Sequence, residues 1–136
     1  MTIMLSELAD RWAEVFSILG SEERLSILFV LQGSLFVRHK HTEVNDEEPV
    51  GSLSFSQIAE AAGLPSSTRL SYHLSKLMQA DLVQKIPYQD SKGRVFPLYT
   101  ITDKWRAFSN ELGIENIISS QIHKKYPDAY QRPARC

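Results

Sequence analysis

The stretch Phe55–Leu77, FSQIAEAAGLPSSTRLSYHLSKL, holds two short helical patterns separated by a glycine. In the first, Ser54 or Ser56 caps a helix carrying Phe55, Ile58, Ala59 and Ala62, and Gly63 ends it. Ala59 and Ala62 form a small-residue face that lets a second helix cross closely, and Leu64 plugs the gap between the two. After Leu64-Pro65, the pair Ser66-Ser67 opens a helix running to about Ala80, with Leu70, Leu74 and Leu77 facing inward at steps of four and three. At about 100° per residue, Thr68, Arg69, Tyr72, Ser75, Lys76 and Gln79 point away from that stripe, with Ser71 at its flank. The outer face has two cations and an aromatic ring, and no acid occurs from Leu64 to Ala80.

Downstream the period changes. Leu82–Ile86 and Val95–Ile101 are rich in β-branched and aromatic residues, and Tyr88-QDSKG-Arg94 between them is turn-forming, so the three predict a β-hairpin with a basic tip. Pro97 has no N–H to give a ladder, which predicts an edge or a break at that position. Thr102 then caps a helix with Trp105, Phe108 and Leu112, ended by Gly113, and Ile114, Ile117, Ile118 and Ile122 form a last amphipathic stretch reaching Pro127. Upstream, Leu5, Leu8, Ala9, Trp12, Val15, Phe16 and Leu19 make one apolar stripe ended by Gly20. Ser21 caps a second helix with Glu22 and Glu23 in its first turn; Leu25, Ile27, Leu28, Val30 and Leu31 make it apolar on most sides and central to the core. It ends near Gly33 or continues through Leu35-Phe36-Val37. Residues 38–52 are polar and charged and predict a mobile surface loop, and the tail YPDAYQRPARC reads as disordered.

The order helix, helix, short helix, turn, helix, hairpin, helix predicts a mainly α (α+β) fold, a winged helix-turn-helix with a two-stranded β-hairpin wing. Residues 1–113 form that domain and 114–136 a C-terminal helix and flexible tail. In this fold the second helix of the pair, about 66–80, enters a major groove and its N-terminal part reaches the bases. Ser67, Thr68, Arg69 and Tyr72 are therefore expected at base edges, with Ser71 at the flank, Ser66 and Lys76 on the backbone, and Lys92 and Arg94 of the wing, 87–95, on flanking phosphate or the minor groove. The expected partner is double-stranded DNA.

The chain has 136 residues, 43% hydrophobic and 23% charged, with a net charge of −1. That is one domain of a soluble type. Residues 1–62 hold four basic residues against ten acidic, whereas 63–106 hold seven against three. A positive middle suits a phosphate-binding surface, although such a split also arises by chance. The longest apolar run, Ile27–Leu31, is five residues, far below the ~20 of a membrane span. Glu7 and Asp10 precede any basic residue, unlike a signal peptide, so the expected location is cytoplasmic.

The chain resembles the ArsR-like winged helix-turn-helix regulators. Leu19-GSEERLSI-Leu28 is similar to that family's opening motif, Ser71-Tyr72-His73-Leu74 to its recognition-helix signature, and Ala80-Asp81-Leu82-Val83 to its lead into the wing. The resemblance covers roughly residues 15–110; the loop 38–52 departs from it as an insertion. It implies a homodimer, paired through helices at 5–19 and 102–125, binding a palindromic operator. Leu5, Leu8, Trp12, Trp105, Phe108, Ile117 and Ile118 are the implied interface residues.

Metal sensing, found in several members, has no ligand set here. There is no internal cysteine, and Trp105 stands where the zinc sensors' last helix has a histidine after Asp103. His39 and His41 beside Glu43, Asp46, Glu47 and Glu48 are the other candidates, but histidines in an acidic loop are ordinarily just solvated. His73 is expected to pack and hydrogen-bond at the rim of the recognition helix. Cys136 is a terminal thiol with little near it in sequence to lower its pKa. No cofactor is expected. Neither a glycine-rich phosphate loop nor a nucleophile and base at motif spacing is present, which argues against an enzyme. The alternative is a winged helix that contacts protein rather than specific DNA; its outer helix face would then be acidic or apolar.

Overall fold

The computed structural model describes residues 2–37 and 51–128. The loop positions 38–50, with His39 and His41, and the tail 129–136, with Cys136, lie outside the described residues. Helix α1 spans Thr2–Ile18 and α2 spans Glu22–Gly33, followed by a 3-10 turn at Ser34–Phe36. Strand β1 (Leu53–Ser54) leads into α3 (Phe55–Ala62), then α4 (Ser67–Gln79), the strands β2 (Val83–Gln89) and β3 (Val95–Ile101), α5 (Asp103–Glu111) and α6 (Ile114–Lys125). Together they form the mainly helical winged-helix arrangement with its antiparallel hairpin. No described helix is long and apolar enough to cross a membrane.

Each boundary has a local cause. The Ser21 hydroxyl accepts from Arg24 N, and Glu22 and Glu23 sit at the positive end of α2. Ser54, not Ser56, caps α3, in a reciprocal box with Gln57. Gly63 takes φ +69 at the helix end, where a side chain is disfavoured, and turns the chain toward α4. The end of α4 uses no glycine: Asp81 itself adopts φ +62, and Lys104 Nζ donates to the last carbonyl, Ala80 O, at 3.1 Å.

The sheet has the order β1-β3-β2. The third strand is an addition to the expected hairpin: Leu53 pairs with Tyr99 and Ser54 with Leu98. Gly51 and Ser52, expected in the surface loop, are buried instead, and Gly51 O accepts from Thr100 Oγ1 at 2.9 Å. Pro97 lies in the middle strand yet meets the constraint that predicted an edge. It is opposite Pro87, and β1 is too short to reach it. Two residues without an N–H can face each other in a non-hydrogen-bonded pair, where the ladder asks neither for a donor.

Ile27, Leu28 and Leu31 of α2, Ile58 of α3, Leu70, Leu74 and Leu77 of α4, and Trp105 of α5 build the core. Leu64 is buried between α3 and α4, as its position in the turn suggested. Trp105 requires a correction. Expected at a subunit interface, it is 0% exposed within the protomer, because it covers the C-terminal part of α2 and has no surface left for a partner.

What orients it is a polar side chain. Gln32 is fully buried, accepts from Trp105 Nε1 at 2.9 Å, and donates to Ser109 Oγ at 2.9 Å and Glu115 Oε1 at 3.1 Å. Glu115 is held in turn by both arms of Arg106, at 2.8 and 2.9 Å. Burial alone would raise the Glu115 carboxyl, but the bonds from Arg106 and Gln32 outweigh it and hold it below its ordinary value near 4.5.

Gln32→Leu strands the Trp105 N–H in the core, so unfolding stability should fall by about 1–3 kcal/mol. The reading is the denaturant midpoint at constant m-value, and an unmoved midpoint would show that the network holds nothing. The depressed Glu115 pKa gives stability that is complete above about pH 4.5 and is lost as pH falls through the lower, folded value. Melting profiles between about pH 2 and 6 should therefore show a shallower acid limb for Glu115→Gln than for the wild type.

Candidate nucleic-acid interface

The α4 face opposite Leu70, Leu74 and Leu77 is the one expected to read DNA. Ser67, Thr68, Arg69, Ser71 and Tyr72 are all exposed, and Ser75 and Lys76 are half-buried. Ser67, Thr68, Ser71, Tyr72 and Ser75, with Phe55 from the start of α3, line one shallow concavity of about 690 Å³. Its lining presents four side-chain hydroxyls and the phenol, groups that both donate and accept, above one aromatic floor. The Tyr72 ring, 53% exposed, has Lys76 Nζ 5.6 Å and Arg24 Cζ 5.9 Å from its centroid. These cations lie within cation–π reach and steady the ring on the surface.

Ser66 caps α4 by accepting from Arg69 N at 3.3 Å, so the hydroxyl expected on a phosphate already serves the helix end. Arg69 is not free either. Its guanidinium pairs with the Glu23 carboxylate of α2. The other Glu23 oxygen meets His73 Nε2 at 3.1 Å, and His73 Nδ1 accepts from Arg24 Nε at 3.2 Å. A guanidinium can only donate, so Nδ1 carries the lone pair and Nε2 the proton given to Glu23. Arg24 also donates to Ile18 O at the end of α1, at 3.1 Å. Arg69 and, to a smaller extent, His73 hold the Glu23 carboxyl below its ordinary value against the opposing pull of desolvation. His73 is thus the packing and hydrogen-bonding residue it was expected to be, buried at the rim of the helix.

At the wing tip Gly93 takes φ +82 in the five-residue connection 90–94, where Asp90 N donates to Arg94 O and Gly93 N to Asp90 O. Asp90 organises this turn. Its Oδ1 accepts from Lys92 N at 2.9 Å and Arg94 N at 2.8 Å, and its Oδ2 from Arg94 Nε at 2.8 Å. Partial desolvation pulls the Asp90 carboxyl upward, but the bonds from Arg94 and Lys92 together leave it below its ordinary range. Lys92 and Arg94 are both exposed on the tip, Arg94 in a fixed pose.

Residues 12–89 match a sequence family described as a domain of unknown function, DUF7347. The chain belongs to that family. No curated protein matches it. Among solved structures it is similar to the reduced form of the transcriptional regulator YodB from B. subtilis, with a TM-score of 0.56 and 19% identity, covering 87% of this chain and 93% of that one. The diamide-treated form of YodB gives a TM-score of 0.52 at 20% identity, covering 82% and 88%. At such identities the likeness is one of fold, and this DUF7347 member shares the winged-helix arrangement of those structures.

The residues implied for a subunit interface divide. Leu5 and Ile117 are 59% and 60% exposed. Trp12 of α1 and Phe108 of α5 meet as a tilted ring pair, centroids 4.5 Å apart at 50°, with Phe16 on the same cluster, itself exposed. Ile118 is half-buried and turned inward: a side chain placed on Gly33 of α2 would meet it at 3.6 Å. The Leu8 side chain lies outside the described ones. Among the described residues no group of three or more His, Cys, Asp or Glu could hold a metal ion. Sequence reasoning missed Glu23 and Phe55 as site residues, and Asp90 as the organiser of the wing. Only Asp90 left a usable signal, an Asp three residues ahead of a turn glycine.

Asp90→Ala removes the acceptor of two backbone amides. Hydrogen exchange at Lys92 and Arg94 should accelerate clearly while that of the α2 core amides stays unchanged. Equal protection in both proteins would remove Asp90 from its role.

Proposed function

We propose that the chain is a sequence-specific, double-stranded-DNA-binding transcription regulator acting as a homodimer, with α4 in the major groove and the β2–β3 wing on flanking phosphate or the minor groove. The observation that carries this reading is the exposed α4 face, five polar or cationic side chains around a hydroxyl-lined concavity with no acid on the helix. A base edge offers mixed donors and acceptors that hydroxyls and an arginine can match, and an acidic or apolar helix face would instead suit a protein partner. Ser67, Thr68, Arg69 and Tyr72 are the residues assigned to the bases, with Ser71 at their flank; Ser66 and Lys76 are assigned to backbone, and Lys92 and Arg94 to flanking phosphate or the minor groove. The DUF7347 chain's likeness in fold to a transcriptional regulator supports the same assignment.

Two subunits would meet through the faces carrying Leu5, Phe16 and Ile117, exposed apolar side chains on the first and last helices. Pairing them sets two copies of α4 about one DNA turn apart and reads a palindromic site. A cytoplasmic location and kinship with the ArsR-like regulators complete the proposal.

Site selection from a random duplex library at about 150 mM salt, a physiological ionic strength, should return a palindromic motif, and Arg69→Ala/Tyr72→Ala should lose it. Sequence-blind binding or none would overturn the reading and leave a protein-contacting winged helix. Sedimentation should give twice the protomer mass, falling to one with Leu5→Asp/Ile117→Asp; a wild-type protomer sedimenting alone would remove the dimer.

A further inference from the structure

The Glu23–Arg69 pair is asymmetric. The Arg69 side chain is 63% exposed and the Glu23 side chain 26%. The anion is anchored by His73, which is anchored by Arg24, which is tied to the end of α1. The cation is displayed at the rim of the DNA-facing surface. An exposed pair of this kind contributes little to stability, so its consequence is positional: one terminal nitrogen of Arg69 is held by a fixed carboxylate, and the rest of the guanidinium points outward from one place.

We propose that Glu23 is a specificity-determining residue of the α4 surface, pinning Arg69 so that it meets base edges and cannot swing onto phosphate. This rests on the DNA-binding reading above. An unpinned arginine on a flexible stem takes the nearest phosphate on any sequence, which adds affinity without information. A pinned one keeps its bond to Glu23 in a matched complex and offers its remaining donors to paired acceptors such as guanine N7 and O6. To bind phosphate on a random sequence it must first leave the carboxylate. Glu23 therefore lowers non-specific affinity and leaves the specific complex nearly untouched, and selectivity is the difference between the two.

The test is a double-mutant cycle on DNA binding with Glu23→Gln, which keeps the side chain's shape and an oxygen for His73 while removing its charge. Affinities for the selected site and for random duplex are measured across salt, for the wild type, Glu23→Gln, Arg69→Ala and the double variant. The expected result is that Glu23→Gln raises random-duplex affinity about three- to tenfold and adds up to about one phosphate contact to the salt slope. The ratio of selected to random affinity falls accordingly, and in the Arg69→Ala background the substitution leaves that ratio unchanged. An unchanged ratio in the single variant overturns the proposal. So does an equal rise with Arg69 absent, which would mark Glu23 as a general repeller of phosphate. A wild type that selects no site overturns the regulator reading itself, and the role of Glu23 with it, whereas a selected site with an indifferent Glu23→Gln overturns the role alone.

Discussion

Gln32 is a polar side chain with no access to water, and its three hydrogen bonds constrain everything around α2. Apolar residues lie on most sides of that helix, so hydrophobic burial alone does not fix its rotation about its own axis. A buried amide does, because each unpaired donor or acceptor would cost about 1–3 kcal/mol. Once Gln32 faces Trp105, Ser109 and Glu115, the other side of the helix is determined as well. Glu23, nine positions earlier, lies roughly half a turn round the axis from Gln32 at about 100° per residue. One end of α2 thereby grips α5 and α6, and the other end presents Glu23 and Arg24 to α4.

This makes α2 a link between α5 and α6 on one side and α4 on the other. Arg24 bonds the C-terminus of α1 and the ring of His73; His73 bonds Glu23; Glu23 bonds Arg69. The aromatic cluster of Trp12, Phe16 and Phe108 ties α1 to α5 on the far side. Arg24, His73 and Glu23 thereby connect the end of α1 to the exposed α4 surface through direct polar contacts. The wing is set independently, by the Asp90 carboxylate at its tip and by the pairing of β3 with β1 at its base.

The legible parts of the fold were those with a repeating or positional signal. The leucine stripe of α4, the serine caps at Ser21, Ser66 and Thr102's equivalent role on α5, and Gly63 and Gly113 as helix ends all read directly from residue type and spacing. Beyond them, non-local contacts decide. The strand at Leu53–Ser54 is two residues long, too short to show a period, and exists because β3 offers it an edge. Trp105 sits on an amphipathic helix whose stripe says only that it is covered, and whether a partner or its own chain covers it depends on Gln32, 73 residues away. Arg69 was visible as an outward cation, but its partner lies on another helix, and an isolated Glu in a first turn reads simply as a residue favoured by the helix dipole.

Glu23 also bears on the modest charge of the chain. A net charge of −1 with only a positive middle offers DNA little long-range attraction. Protein that binds phosphate weakly gains selectivity by default, since non-specific affinity is mostly electrostatic. On the DNA-binding reading, an anion placed beside the most exposed cation of α4 extends the same logic from the whole surface to a single residue. It also explains why the acid is on α2 rather than on α4 itself. A carboxylate on α4 would stand in the groove and repel phosphate in every complex, whereas one at the N-terminus of α2, stabilised there by the helix dipole and by His73, withholds Arg69 from phosphate and leaves the reading face free of acid.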